Sequence, residues 1–380
     1  MKPLIYIVII ICILVLLGFF CLKPVILFLA QAQLEKVFID SVVEIDDCDI
    51  KPFHKLELLN IKVKKEPVYD FRVGRLTIQF TPFSILKKVI LKASLSDAAI
   101  TINQPGKSIR EFGQQLNYGG SRGVFALDSI ELSDIKLNLD SKEAKLKAAL
   151  SLVFDLKDQS LNSCDLKVES LTSAGFQLKN ASLSTRRAGP AGTCFIDQVT
   201  HSDVTLRQVK GRARLEDEFL ILDSLSAQLL GGELRGNARV VLDRDMRYTA
   251  SLQFIKLDLD TIVRDFKLQE KVQLQGELAG SFVLEGSGAV VDVVSADLSA
   301  GKDGGTLTIK DNKYLDNLAR RSNQSFDLIV DSFKDYRYNA GIVKLSLEGT
   351  DLIFDIGLEG EAGKRDLTVV LHDFKLTKEE

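Results

Sequence analysis

The stretch Gly231–Gly288, GGELRGNARVVLDRDMRYTASLQFIKLDLDTIVRDFKLQEKVQLQGELAGSFVLEGSG, decides how the chain is read. Three runs in it alternate apolar and polar residues. Leu234, Gly236, Ala238, Val240 and Leu242 share one face of the first. Tyr248, Ala250, Leu252 and Phe254 share one face of the second. Val272, Leu274, Gly276, Leu278, Gly280, Phe282 and Leu284 share one face of the third. A period of two gives each strand one apolar and one wetted side. Leu259, Ile262, Val263 and Phe266 fall instead at helical spacing and predict a short amphipathic helix between the second and third strands. Strand, strand, short helix, strand is the unit of an elongated, curved antiparallel sheet.

Composition supports a strand-rich chain. The 380 residues contain 7 Pro and no Trp, and scarce Pro suits ladders in which each N–H is needed. Lys+Arg (49) and Asp+Glu (52) nearly balance, giving a net charge of -3. A nucleic-acid partner wants a basic face, and none is present in this balance. Of the 5 Cys, Cys12 and Cys21 lie in the apolar N-terminus, and Cys48, Cys164 and Cys194 lie beyond it. Three thiols make no complete disulfide framework. A Cys164–Cys194 bridge and small buried thiols are both open readings.

Leu4 to Leu22 is an unbroken uncharged apolar run bracketed by Lys2 and Lys23. As a helix rising about 1.5 Å per residue it would span roughly 28 Å, near the thickness of a bilayer's hydrocarbon core. Leu4, Ile10, Leu14 and Leu22 mark its length. Ala30-Gln31-Ala32 has the form of a signal-peptide cleavage site, but the apolar run exceeds the usual h-region, which favours a retained transmembrane anchor. Pro24 to Phe38 then predicts a helical neck that can also serve as the first helix of the folded part.

Strands are expected over Val42–Ile45, Leu56–Val63, Phe71–Phe80, Val89–Leu95 and Ala98–Asn103, with a short helix at Thr81–Lys88. A second short helix is expected over Gly106–Leu116, and a flexible break at Gly119–Gly123. From Val124 to Val241 nearly everything reads as strand. Lys145–Leu156 is the clearest run there, with Leu146, Ala148, Leu150, Leu152, Phe154 and Leu156 on one side. Lys313–Arg321 predicts another amphipathic helix. Phe326–Val330, Tyr338–Leu347, Leu352–Leu358 and Leu367–Leu371 read as closing strands. Roughly two dozen strands, laid side by side at about 4.8 Å, make a sheet of at most ~115 Å.

Catalytic spacings are missing. The 3 His, at 54, 201 and 372, sit in no zinc motif. There is no G-x-S-x-G elbow and no Cys-x-x-Cys. Gly106-Lys107-Ser108 lacks the first Gly of a phosphate loop, because position 101 is Thr. Asp46-Asp47-Cys48-Asp49 reads as a solvated turn sooner than as a cation site. The chain therefore reads as a non-enzyme, and no cofactor or metal is expected.

Three motifs carry a resemblance: GGELRG (231–236), LDLD (257–260) leading into the short helix, and LQGELAG (274–280). In that order they resemble the C-terminal signature of the AsmA-like family of membrane-anchored bacterial envelope proteins. FRVGRLTIQFTPFSILKKVILKASLSDAAITINQ (71–104) is similar to AsmA-like N-terminal regions. GGTLTIKD (304–311), a helix, and then residues 338–372 resemble the C-terminal domain of the YdbH-type members, which are much longer. The resemblance implies an N-terminus in the cytoplasm, a single pass through the inner membrane and the bulk of the chain in the periplasm. It divides the chain into an anchor (1–23), an N-terminal AsmA-like region with the neck (24–122), a central strand region (123–230) and a C-terminal AsmA/YdbH-like domain (231–380).

What remains for function is the apolar face. Leu146, Leu150, Leu152 and Phe154 carry it in the central region. Leu234, Val240, Leu252, Phe254, Leu274, Leu278, Phe282 and Leu284 carry it in the core stretch. Leu345, Leu347, Leu352 and Phe354 carry it near the C-terminus. Period-2 alternation fits a closed sandwich and an open trough equally. The anchor and the resemblance favour a trough that holds phospholipid acyl chains for transfer between envelope membranes. A scaffold for outer-membrane protein assembly, with a packed core, is the alternative. A trough of this length needs a further periplasmic or outer-membrane protein, docked at the C-terminal edge strand near Leu367–Leu371, to reach a second membrane.

Overall fold

The structure, a computed structural model, describes residues 23–36, 38, 40–51, 54–103, 126–141, 144–158, 160–173, 176–201, 204–243, 245–288, 290–322 and 325–371. Leu4, Ile10, Leu14 and Leu22, the helix expected over 106–116, the break at 119–123 and His372 lie outside these residues. Among the described residues no helix is long and apolar enough to cross a membrane. The fold is mainly β, with a few short helices, and divides into two compact units at Ser170/Leu171.

In the first unit, a helix over 23–36 (α1) precedes β1 (Val42–Lys51), β2 (Lys55–Lys65) and β3 (Tyr69–Gln79). A one-turn helix, α2 (Pro82–Leu86), leads to β4 (Val89–Ile102), followed by β5 (Ala126–Asp140) and β6 (Ala144–Asp155). Neighbours pair antiparallel except β4 and β5, which run parallel. The strand β7 (Ser160–Ser173) contains the division between the units. In α1, Ile26, Leu27, Ala30 and Leu34 pack on the sheet's apolar face, against a buried cluster including Val43, Cys48, Leu58, Ile61 and Tyr69. The expected neck is thus the first helix of this unit.

The second unit is an antiparallel succession. It runs β8 (Phe176–Arg186), β9 (Gly192–His201), β10 (Val204–Glu216), β11 (Phe219–Leu229), β12 (Gly232–Val241) and β13 (Arg247–Asp258). Helix α3 (Leu259–Asp265) joins β13 to β14 (Val272–Ser287), which pairs with β15 (Val290–Ile309). Helices α4 (Asn312–Ser322) and α5 (Phe326–Phe333) follow, and then β16 (Tyr336–Tyr338), β17 (Ala340–Glu348), β18 (Asp351–Gly360) and β19 (Gly363–Leu371). Each pairs with its predecessor except β17, which skips the short β16 and pairs with β15.

Strict alternation does not run the length of these strands. In β2 the buried apolar positions are Leu58 and then Ile61 and Val63, so the phase jumps by one residue. Asn60, between them, has φ 52. A step of the same length, here apolar-polar-polar-apolar, occurs at Leu95-Ser96-Asp97-Ala98, Leu132-Ser133-Asp134-Ile135, Leu178-Lys179-Asn180-Ala181, Leu206-Arg207-Gln208-Val209 and Leu222-Asp223-Ser224-Leu225. Asp97, Asp134, Asn180, Gln208 and Ser224 all have positive φ. A left-handed residue resets the pleat, so the next apolar side chain returns to the same face.

Register aligns these steps across strands. Asp46, Asn60, Gly74 and Asp97 fall opposite one another in β1 to β4, each where a paired position is skipped. Asn180, Asp197 and Gln208 do so in β8 to β10. Asp, Asn and Gly are the residues that tolerate this backbone or an open ladder position most readily.

Several expectations are corrected. Val89–Leu95 and Ala98–Asn103 are one strand, β4, because Asp97 is a pleat step and not a turn. The Asp46–Asp49 segment lies within β1, with Asp47 paired to Lys23, and is no turn. Phe326–Val330 is helical, because Phe326, Ile329, Val330 and Phe333 repeat at helical spacing after Ser325, whose hydroxyl accepts from the Leu328 amide at 3.3 Å. Among the described residues there are 19 strands, fewer than the roughly two dozen expected; the single β4 and the helical Phe326–Val330 account for part of the difference. Cys48, Cys164 and Cys194 are free.

The helices of the second unit cover one part of its apolar face. Leu315 and Ala319 of α4, Ile329 and Phe333 of α5, and Leu259 of α3 bury Leu257, Leu278, Leu307 and Leu358 of the sheet. Tyr336 and Tyr338 join them. The Tyr338 hydroxyl donates to the Gln275 carbonyl at 2.9 Å. Gly305 makes room for that phenol, since a Cβ there would stand 2.3 Å from its oxygen.

Two outcomes are expected. Asn60→Val should destabilise the first unit by about 1–3 kcal/mol, because a β-branched residue is strained at positive φ, while Asn60→Gly should be near neutral. Denaturant midpoints of the two variants check this. Burial pushes the Tyr338 phenol up to about 12. Its unfolded value is about 10, so its contribution is complete below that pH and is lost as pH rises through the folded value. Tyr338→Phe should cost about 1 kcal/mol at neutral pH and flatten the loss of stability between about pH 10 and about 12.

Candidate functional site: the apolar face of the sheet

Ladder register brings the predicted face residues of the second unit into contact. Leu234 is opposite Phe254, and Leu252 is opposite Phe282. The Phe254 and Phe282 rings meet edge to face at 5.5 Å between centroids. Phe282 is opposite Ala296, Ala296 opposite Leu345, and Leu345 opposite Phe354. Leu347 is opposite Leu352. Ala250 is opposite Leu284, and Val240 is opposite Tyr248. At about 4.8 Å per strand, the row from β8 to β19 extends roughly 50 Å along the ladder.

At several positions of this row a large residue is paired with a small one. Phe254 faces Gly280, Leu252 faces Gly236, and Phe282 faces Ala296. A Cβ at Gly280 would lie 2.0 Å from the Asp297 carbonyl oxygen, so this position takes only glycine. At these positions a bulky side chain stands opposite a small residue.

The face has two parts. Leu278 is inside the helix-covered cluster, with Phe254 and Leu274 packed at its margin. Val240, Leu252, Phe282, Leu284, Leu345, Leu347 and Phe354 belong to no such cluster and stay half-buried. Leu234 and Leu352 are buried, opposite Phe254 and Leu347. In the first unit, Leu146, Leu150, Leu152 and Phe154 of β6 are half-buried, opposite Leu139, Ile135, Leu132 and Ile130 of β5. Among the described residues, the helical cover of that unit lies over β1 to β3.

Sequence reading missed residues that the pleat steps return to this face. Leu222 and Leu225 both belong to it although two residues, not one, lie between them, and so do Ile196 and Val199. The signal was the polar pair between each two. Ala296, Leu298 and Val343 were also missed, and they continue the alternation of β15 and β17.

The chemistry of the face is that of hydrocarbon. Burial pushes the Cys194 thiol up, which keeps it neutral beside Leu183 and Gly211. Among the described residues no group of three His, Cys, Asp or Glu is placed to hold a metal. A separate cavity of about 890 Å³ is lined by Arg207, Lys210, Glu233, Lys256, Arg264 and Asp265 among others. Most of these side chains are exposed, and the cavity is polar. His54 is in the turn between β1 and β2, and His201 ends β9.

A charge should discriminate the two parts of the face. Leu278→Asp, beneath the helices, should cost more than about 3 kcal/mol. Phe282→Asp should cost distinctly less, and Glu277→Ala on the wet side should stay within about 0.5 kcal/mol. Urea melts rank the three.

No protein-family model and no curated protein matches this chain.

Proposed function

We propose that this chain binds lipid, holding phospholipid acyl chains against the half-buried part of its apolar face for transfer between membranes of a bacterial envelope. The observation that carries this reading is the row Leu252, Phe282, Ala296, Leu345 and Phe354. It crosses successive strands with no ionisable side chain, outside the helix-covered core. Apolar surface that the chain leaves only half-buried is where an apolar ligand can add cover. An acyl chain gains about 0.8 kcal/mol per methylene buried there and needs no directional partner.

The uncharged run Leu4–Leu22 supports an anchor in the inner membrane. The bulk of the chain then lies in the periplasm, as its AsmA-like motifs imply. The reading includes no catalysis. It places a protein partner at β19, which pairs on one side with β18 and exposes Val369 and Val370.

Photo-crosslinking amino acids at Phe282 and Phe354, in the full chain in cells, test the reading. Phospholipid adducts at both positions, and none at Glu277 on the wet side, are expected by mass spectrometry. Absence of lipid at Phe282, or equal capture at Glu277, would overturn it and leave the packed-scaffold alternative.

A further inference from the structure

Helix α2 is amphipathic the wrong way round for a part of a folded core. Its buried residue is Ser84, held by reciprocal bonds with Thr81: the Ser84 amide donates to the Thr81 hydroxyl at 3.1 Å and the Thr81 amide to the Ser84 hydroxyl at 2.8 Å. Its apolar residues point outward. Phe83 is 66% exposed and Leu86 is 80% exposed, and Ile85 and the following Leu91 are also exposed. Lys87 and Lys88 follow directly, and the Lys87 ammonium lies 4.6 Å from the centre of the Phe83 ring. Apolar side chains flanked by ammonium groups match a bilayer interface with anionic headgroups.

The position of α2 says which surface that is. It leaves the end of β3, where the Phe80 amide donates to the His54 carbonyl. That end adjoins the Lys51–Lys55 end of the β1–β2 pair. Helix α1 begins at the same end: the Cys48 thiol donates to the Lys23 carbonyl at 3.6 Å, and Lys23 pairs with Asp47. The apolar run Leu4–Leu22 leads directly into Lys23. Val25, Phe28 and Leu29 on α1 are exposed too, Phe28 by 72%. The chain therefore arrives from its apolar run at the end of the unit where α2 presents Phe83 and Leu86.

We infer that α2 is a membrane-contact foot: Phe83 and Leu86 enter the interface of the bilayer that holds Leu4–Leu22, and Lys87 and Lys88 engage its anionic headgroups. The inference rests on the anchor reading. It sets the sheet of the first unit with its β1–β2 turn toward that membrane, at two separated points of contact.

The test uses the full chain in phosphatidylcholine vesicles, with and without phosphatidylglycerol. An environment-sensitive fluorescent amino acid is placed at position 86, and at Glu361 as an exposed control. Flotation and resistance to alkaline extraction report the anchor. Bromine-labelled lipid reports the foot, and should quench and blue-shift position 86 while leaving 361 unchanged. Lys87→Glu with Lys88→Glu should reduce the quenching on phosphatidylglycerol vesicles and leave it unaltered on phosphatidylcholine alone. A chain that floats with position 86 unquenched overturns the foot and leaves the anchor standing. Emission blue-shifted before vesicles are added, and insensitive to brominated lipid, means another part of the chain covers α2 and also overturns it. A chain that does not float removes the anchor and the foot together.

Discussion

A strand more than about ten residues long can keep one apolar face only if its pleat stays in phase with its sequence. Here the phase is corrected within the strand, at a residue with left-handed backbone. Asn60, Asp97, Asp134, Asn180, Gln208 and Ser224 make that correction. A single slip of the period-two pattern would turn every following side chain to the opposite face. The steps therefore decide where Val63, Ile100 and Leu137 point. They also loosen the ladder along a line across adjacent strands, and interruptions of this kind bend the strands that carry them.

Keeping the face apolar creates a need to cover it, and among the described residues the helices of each unit meet that need only in part. Helix α1 covers β1 to β3 of the first unit, and α3, α4 and α5 cover one end of the second. Leu315 and Phe333 are almost wholly buried, so the covered end is a packed core and supplies stability in the ordinary way. Phe282 and Phe354 do not share in it. They are the part of the face that the helices leave uncovered among the described residues, and the proposed binding is assigned there. The division explains why face residues with the same pattern, such as Leu278 and Phe282 on one strand, serve different ends.

The core stretch was legible because β12 and β14 contain no pleat step on the side that was read. Leu234 to Val240 and Val272 to Leu284 alternate without a break and fall where the alternation puts them. The same reading failed where the step occurs. It divided β4 at Asp97, and it took Asp46–Asp49 for a turn, because adjacent polar residues signal a turn and a pleat step alike. Phe326–Val330 was misread because five residues are too few to separate a helical from a strand period. Which face residues lie under helices was not legible at all. That depends on where α4 and α5 return to the sheet, a tertiary fact with no local signature.

A face of this composition recognises by area. Leu, Phe, Ala and Gly offer no hydrogen bond that could tell one headgroup from another, so whatever is held is held by its hydrocarbon. The pairs Phe254–Gly280 and Phe282–Ala296 set a large side chain opposite a small residue across the strands. A flexible chain on such a face exchanges one strand's side chains for the next at little cost, because neighbouring positions are chemically alike. Strong, directional contacts would trap the ligand at one place. Under the proposed lipid-binding reading, weak, repeated and interchangeable contacts would retain an acyl chain over many strands and leave it free to move along them.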